Sequence, residues 1–127
     1  MSASLNDNKP LFLQIKERIE DQIVNKQWNS HDQIPSTTQL VQFYKINHIT
    51  VAKGINLLVD AGILYKKRGV GMFVSEGARE LLLQERKKTF IQDFLVPMIK
   101  EARILGITDA ELFDSITQLK GCDSNEN

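Results

Sequence analysis

Lys66, Lys67 and Arg68 stand consecutively in the stretch YKKRGVGMFV, residues 65–74, followed by Gly69 and Gly71 and an apolar finish at Met72, Phe73 and Val74. Three adjacent cations beside turn-forming glycines can neutralise an anionic partner such as a phosphate chain; a triplet of this kind taken alone is ordinarily a solvated surface run. The overall charge does not decide, since 16 Lys/Arg balance 16 Asp/Glu. The distribution is more informative. Residues 1–75 carry nine Lys/Arg against six Asp/Glu, +3, and residues 76–127 carry seven against ten, −3. Within 45–68, Lys45, Lys53, Lys66, Lys67 and Arg68 face only Asp60. A local basic surface on a neutral chain is the footprint of a polyanion, either nucleic acid or anionic lipid.

Other residue types capable of chemistry are sparse. His31 and His48 lie in different segments, His31 reading as ordinary surface, and the single Cys122 sits in the polar tail GCDSNEN. With the scattered carboxylates they form no nucleophile–base pair, phosphate loop or metal-ligand spacing, so neither an enzyme nor a metal or other cofactor is expected. No apolar run reaches the roughly 20 residues needed to cross a bilayer, and MSASLNDNKP lacks the features of a signal peptide. The expectation is a soluble, cytoplasmic chain without membrane contact.

The elements that must position the basic surface can be read from periodicity and capping. Pro10 suits a first helical position, and Leu11, Ile15, Ile19 and Ile23 recur with helical spacing to about Lys26. Ser36 and Gln39 form a capping box for a short second helix that buries Leu40 and either Val41 or Phe43. Asn47 caps a third helix with Val51, Ile55 and Leu58 inward, and Gly62 supplies its left-handed stop. Gly54 within it costs about 1 kcal/mol relative to alanine and implies a closely packed neighbour. The tight link from Tyr44 to Asn47 makes a helix-turn-helix, whose second helix enters the DNA major groove. Ile63–Lys67 and Met72–Ser75 then read as two strands around RGVG, a wing, with Phe73 and Val74 anchoring it in the core and the glycines letting the backbone approach a duplex.

On these residues the chain resembles the GntR-type bacterial transcription regulators. Residues 34–74 carry the Pro-Ser start, the Thr50-Val51 pair, the Gly62 stop and the Gly69-x-Gly71-x-Phe73-Val74 wing, and the likeness extends over about 8–76. The short remainder is similar to the YtrA subgroup, which uses a pair of C-terminal helices for dimerisation. The expected fold is mostly α with a small β-hairpin: a winged helix-turn-helix at 8–76, a helical dimerisation segment at 77–121, and flexible tails at 1–7 and 122–127. The resemblance implies DNA contact by Ser36, Thr37 and Thr38, by Asn47, His48, Ile49 and Thr50, and on the wing by Lys66, Lys67, Arg68, Gly69 and Gly71. Lys53 is expected on the phosphate backbone or a guanine, His48 at a base edge or phosphate unless it is only an exposed cap-region residue, Thr50 on a phosphate through its hydroxyl or in plain helix N-terminal chemistry, and Tyr65 in wing packing or on DNA. The family's usual Glu-Arg after Pro-Ser is here Thr37-Thr38, and its Ser-Arg-Thr-Thr-Val-Arg is Asn47 to Ala52, which argues against a simple carry-over of the family's usual operator.

Past Glu76, Phe90, Phe94, Met98, Ala102 and Leu105 follow helical spacing, joined by Ile91 and Leu95, with Pro97 predicting a bend near 93–97. Gly106 ends that helix, and Thr108–Glu111 is a second capping box opening a last helix through Leu112, Phe113, Ile116 and Leu119. Two helices cannot cover their own apolar faces, so Phe90, Phe94, Leu95, Met98, Phe113 and Ile116 need a second copy or the DNA-binding part; a homodimer also supplies two readers for a palindromic operator in double-stranded DNA. The resemblance implies a repressor of its own or a neighbouring operon, with transporter operons a frequent setting. A small-molecule effector, which the sequence does not identify, could act by changing the distance between the two recognition helices. The competing reading is a winged-helix module that binds protein or RNA without reading DNA sequence.

Overall fold

The computed structural model describes residues 8–124. The chain divides into two compact units, the first ending at Glu85 and the second starting at Arg86. In the first, helix α1 (Leu11–Val24) turns Ile15, Ile19 and Ile23 inward. Pro10 lies one position outside this helix as its cap, and Leu11 is exposed, because the apolar stripe rotates onto the core only from Ile15. Helix α2 (Thr37–Tyr44) starts at the capping box: the Ser36 hydroxyl accepts from the Gln39 amide at 3.1 Å and the Gln39 carbonyl oxygen accepts from the Ser36 amide at 2.8 Å. It buries Leu40 and half-buries Val41, while Phe43 stays 55% exposed. Lys45, left-handed at φ 57°, ends it.

Helix α3 (His48–Asp60) begins three residues on. The Asn47 side-chain oxygen accepts from the amides of Ile49 at 2.6 Å and Thr50 at 3.4 Å, and Gly62 at φ 78° closes the other end. Val51, Ile55 and Leu58 join Ile15, Ile19 and Ile23 in one core. The two helices meet at Gly54, where a Cβ would lie 2.7 Å from the Phe12 carbonyl oxygen. This is the close packing that a mid-helix glycine implies.

Strands β1 (Leu64–Lys67) and β2 (Gly71–Val74) pair antiparallel, Leu64 opposite Val74 and Tyr65 opposite Phe73. β1 starts one residue later than expected and β2 lies one residue earlier, and because successive side chains in a strand face opposite ways, the adjacent Phe73 and Val74 cannot both face the core. Met72 and Val74 face the core; Phe73, expected there, lies on the outer face against Tyr65, rings stacked 5.6 Å apart. Residues 31–34 run antiparallel along the free edge of β2, with bonds from the His31 amide to the Val74 carbonyl (2.7 Å), the Val74 amide to that of Asp32 (3.0 Å) and the Ile34 amide to that of Met72 (2.9 Å). Helix α4 (Ala78–Phe90) contributes Ala78 and Leu82 to the same core, so the packing of the first unit continues beyond Glu76.

The second unit continues from α4 through a π-helical turn at Ile91–Leu95 into α5 (Val96–Ile104). Pro97 has no N–H to donate and its ring crowds the carbonyl four residues back; the wider turn before it absorbs that conflict without ending the helix. Gly106, at φ 74°, terminates α5. Helix α6 (Asp109–Ser124) opens on the second capping box, Glu111 accepting from the Thr108 amide at 3.0 Å and Thr108 Oγ1 accepting from the Glu111 amide at 3.1 Å. It runs past the expected start of a tail at 122; residues 1–7 and 125–127 and the side chain of Cys122 lie outside the described residues. Among the described residues, no helix is long and apolar enough to cross a membrane.

Candidate nucleic-acid interface

The outer face of α3 repeats with helical period. His48, Ile49, Ala52, Lys53, Asn56 and Asp60 line one open surface, and Ile49 is 75% exposed. An isoleucine so exposed at the start of a helix gains nothing from the core of its own chain. Lys53 carries its ammonium 4.0 Å from the centre of the Phe12 ring, a cation–π contact on the α1 side of that face. Thr50 is half-buried in the first turn. At the start of α2, Thr37 is half-buried and Ser36 and Thr38 are exposed. Ser36 and Asn47 both use side-chain oxygens to cap helices, so their first role is to fix where α2 and α3 begin.

The basic triplet does not form one patch. Strand alternation sends Lys66 toward α3, where it donates to the Asn56 side-chain oxygen at 3.4 Å, and Lys67 to the outer face, where its ammonium stands 5.0 Å from the Phe73 ring centre. Arg68, at the tip, is exposed and has no side-chain hydrogen bond or ion pair among the described residues. Cations are thereby spread along both faces and the end of a ribbon beside α3. Gly69, at φ 77°, has open space where a Cβ would stand. At Gly71, φ 148°, the Gln33 side chain fills that space, so the expected bare backbone exists at only one of the two glycines.

Three contributors escape a reading of the sequence. Asn56 lies seven residues after Ile49 and could have been found by following the helical period. Gln33 and His31 could not. His31, expected as plain surface, has Nδ1 2.9 Å from the Tyr65 hydroxyl and Nε2 3.4 Å from Glu76, which places Tyr65 in wing packing. Their partners are set by a β register over 30 residues away in the chain. No group of three or more potential metal ligands occurs among the described residues.

The second unit presents a different surface. The Phe90 and Phe94 rings lie 5.7 Å apart, tilted by 36°, and stand 58% and 64% exposed, Phe113 is 67% exposed and Ile116 is exposed, while Leu95 and Met98 are half-buried. Ala102 is buried. Burying each large apolar side chain yields about 1.5–3 kcal/mol, so leaving several in water is costly.

The sequence pattern of the bacterial regulatory proteins of the gntR family matches residues 11–74, from the start of α1 to the end of β2. The chain is 28% identical over 116 residues to the uncharacterized HTH-type transcriptional regulator YhcF of Bacillus subtilis, covering 91% of this chain and 94% of that protein. It is 28% identical over 110 residues to the HTH-type transcriptional repressor YtrA of the same organism, covering 87% and 84%. A crystal structure of the DNA-binding domain of AraR in complex with operator ORX1 superposes with a TM-score of 0.53 at 30% identity, covering 59% of this chain and 92% of that one.

Proposed function

Because the chain belongs to the gntR family of bacterial regulatory proteins, which makes it a DNA-binding transcription regulator of the repressor type, we propose that it acts as a cytoplasmic homodimer on a palindromic operator. The observation that carries the proposal is the pairing of two surfaces on one chain. The α3 face with its wing reads a single half-site; the uncovered Phe90, Phe94, Phe113 and Ile116 surface fits a second copy, which brings a second reader. Residues 8–85 form the reading unit and 86–121 the dimerisation segment, a division that follows the core through Leu82.

Within the reading unit, Ile49 and Ala52 meet thymine methyl groups, and His48, Thr50 and Lys53 bond base edges or phosphates, with Lys53 leaving the Phe12 ring to do so. Thr37 and Thr38 donate to the backbone from the start of α2. Lys66, Lys67 and Arg68 neutralise phosphates on either side of the ribbon. The regulated operon is its own or a neighbouring one. No catalytic step is assigned to any residue. Sedimentation of the full chain tests the assembly, with titrations against a palindromic duplex, its half-site and a scrambled duplex at several salt concentrations. A dimer with a steep salt dependence and a preference for the palindrome is expected; a monomer, or affinity indifferent to salt, overturns the proposal.

A further inference from the structure

The wing is a hairpin of two four-residue strands, too short to hold a fixed attitude unaided. Backbone bonds from residues 31–34 steady β2 only as far as Met72. Beyond that point the ladder is continued by a side chain. Gln33 Nε2 donates to the Val70 carbonyl at 3.0 Å, reaching the turn across the α-carbon of Gly71. The space it crosses exists because Gly71 has no side chain: a Cβ there would collide with Gln33 Nε2 and lie 3.4 Å from its Cδ. Gln33 itself is paired in register, as its backbone bridges to Phe73. A hydrogen bond and a fitted slot, both formed by its carboxamide, therefore tie this one exposed side chain to the turn between Lys67 and Gly71.

We infer that Gln33 is a positioning residue for DNA binding, holding the wing tip so that Lys67 and Arg68 meet phosphates already ordered. Its amide is engaged by Val70, so it acts through the wing and not on the duplex. The inference rests on the reading of the wing as a phosphate-binding ribbon. An ordered tip saves the entropy that a loose one must lose on binding, and a tip left loose gives up part of its phosphate contacts, the quantity that the salt slope counts.

Gln33→Met keeps the length and removes the N–H donor. It should weaken binding to palindromic and scrambled duplexes alike by about threefold to tenfold, the scale of one hydrogen bond, and flatten the slope of log K against log salt. The thermal midpoint should move little, as for an exposed site. A lowered midpoint with an unchanged salt slope would mean a merely structural role and overturn the inference, as would unchanged binding. A cycle with Gly71→Ala gives a second test, because the backbone strain of alanine at φ 148° is common to both backgrounds and cancels. Gly71→Ala should cost less affinity in the Gln33→Met protein than in the native one; equal costs overturn the slot. Alanine at Lys66, Lys67 and Arg68 together, run in parallel, separates the two ideas. A flattened slope there with an unchanged one in Gln33→Met sinks Gln33 alone, whereas an unchanged slope in the triple variant sinks the wing reading and this inference with it.

Discussion

Gly54→Ala places two calculable effects in opposition at the contact that seats α3 on α1. Alanine is the better helix former by about 1 kcal/mol, and at an open site the substitution would stabilise α3 by that amount. Gly54 is not open. The added methyl would stand 2.7 Å from the Phe12 carbonyl oxygen and 3.3 Å from both Cβ and Cγ2 of Ile15, which is fully buried. A backbone carbonyl cannot rotate aside, so α1 and α3 must separate, and overpacking of this kind costs about 1–3 kcal/mol. With the nearest neighbour rigid, the upper part of that range applies and the net effect is a destabilisation of about 1–2 kcal/mol. In a unit of this size each kcal/mol lowers the thermal midpoint by about 4–8 °C. Thermal and urea unfolding followed by circular dichroism read the difference, with Gly121→Ala in α6 as the reference, since nothing lies within 4 Å of a Cβ there and propensity acts alone. Gly54→Ala matching or exceeding native stability would refute the packing argument. A loss in Gly121→Ala of the same size would show that helix–helix contact is not its source.

Phe94→Glu combined with Phe113→Glu should convert a dimer to a monomer in sedimentation while the circular dichroism of the reading unit persists, and lower palindrome affinity by a factor on the order of 10²–10⁴ through lost effective concentration. Ile49→Arg replaces a methyl-reading surface by a guanine-reading one and should shift selected half-sites from A·T toward G·C at one position; unchanged selection would remove Ile49 from the interface. Glu111 is held below the usual carboxylate range, first by the Thr108 amide and then by its hydroxyl. Because the folded value is the lower one, the stabilisation is complete above the ordinary carboxylate range and disappears as pH falls through the lowered value. Glu111→Gln should therefore reduce the acid sensitivity of α6 helicity, and an identical pH profile would detach the cap from it.

What could be read from the sequence was whatever one short segment decides for itself. The boxes at Ser36–Gln39 and Thr108–Glu111, the Asn47 cap and the stops at Gly62 and Gly106 all close within about four residues, and each forms as residue type and spacing require. The inward stripe of α3 follows from period alone. Features that depend on register did not come through. Alternation along β2, with Met72 and Val74 inward, puts Phe73 on the outer face opposite Tyr65, and the pairing along the same strand brings Gln33 to Val70 and His31 to Tyr65. Lys53 over Phe12 requires α1 and α3 to be placed first. At Pro97 the composition announced an irregularity, but whether the helix bends or widens depends on its neighbours in the turn before. A basic hairpin beside a helix face was thus legible, and the side chains that contact the hairpin from residues 31 and 33 were not.

Selection of bound sites from a randomised duplex pool at fixed salt, using the full chain, tests the central claim most directly. Two readers joined through the Phe94 and Phe113 surface should enrich two-fold symmetric sites, with half-sites rich in A·T and centres about one helical turn or a multiple of it apart. Enrichment of single, asymmetric half-sites, or no enrichment over the starting pool, would contradict it.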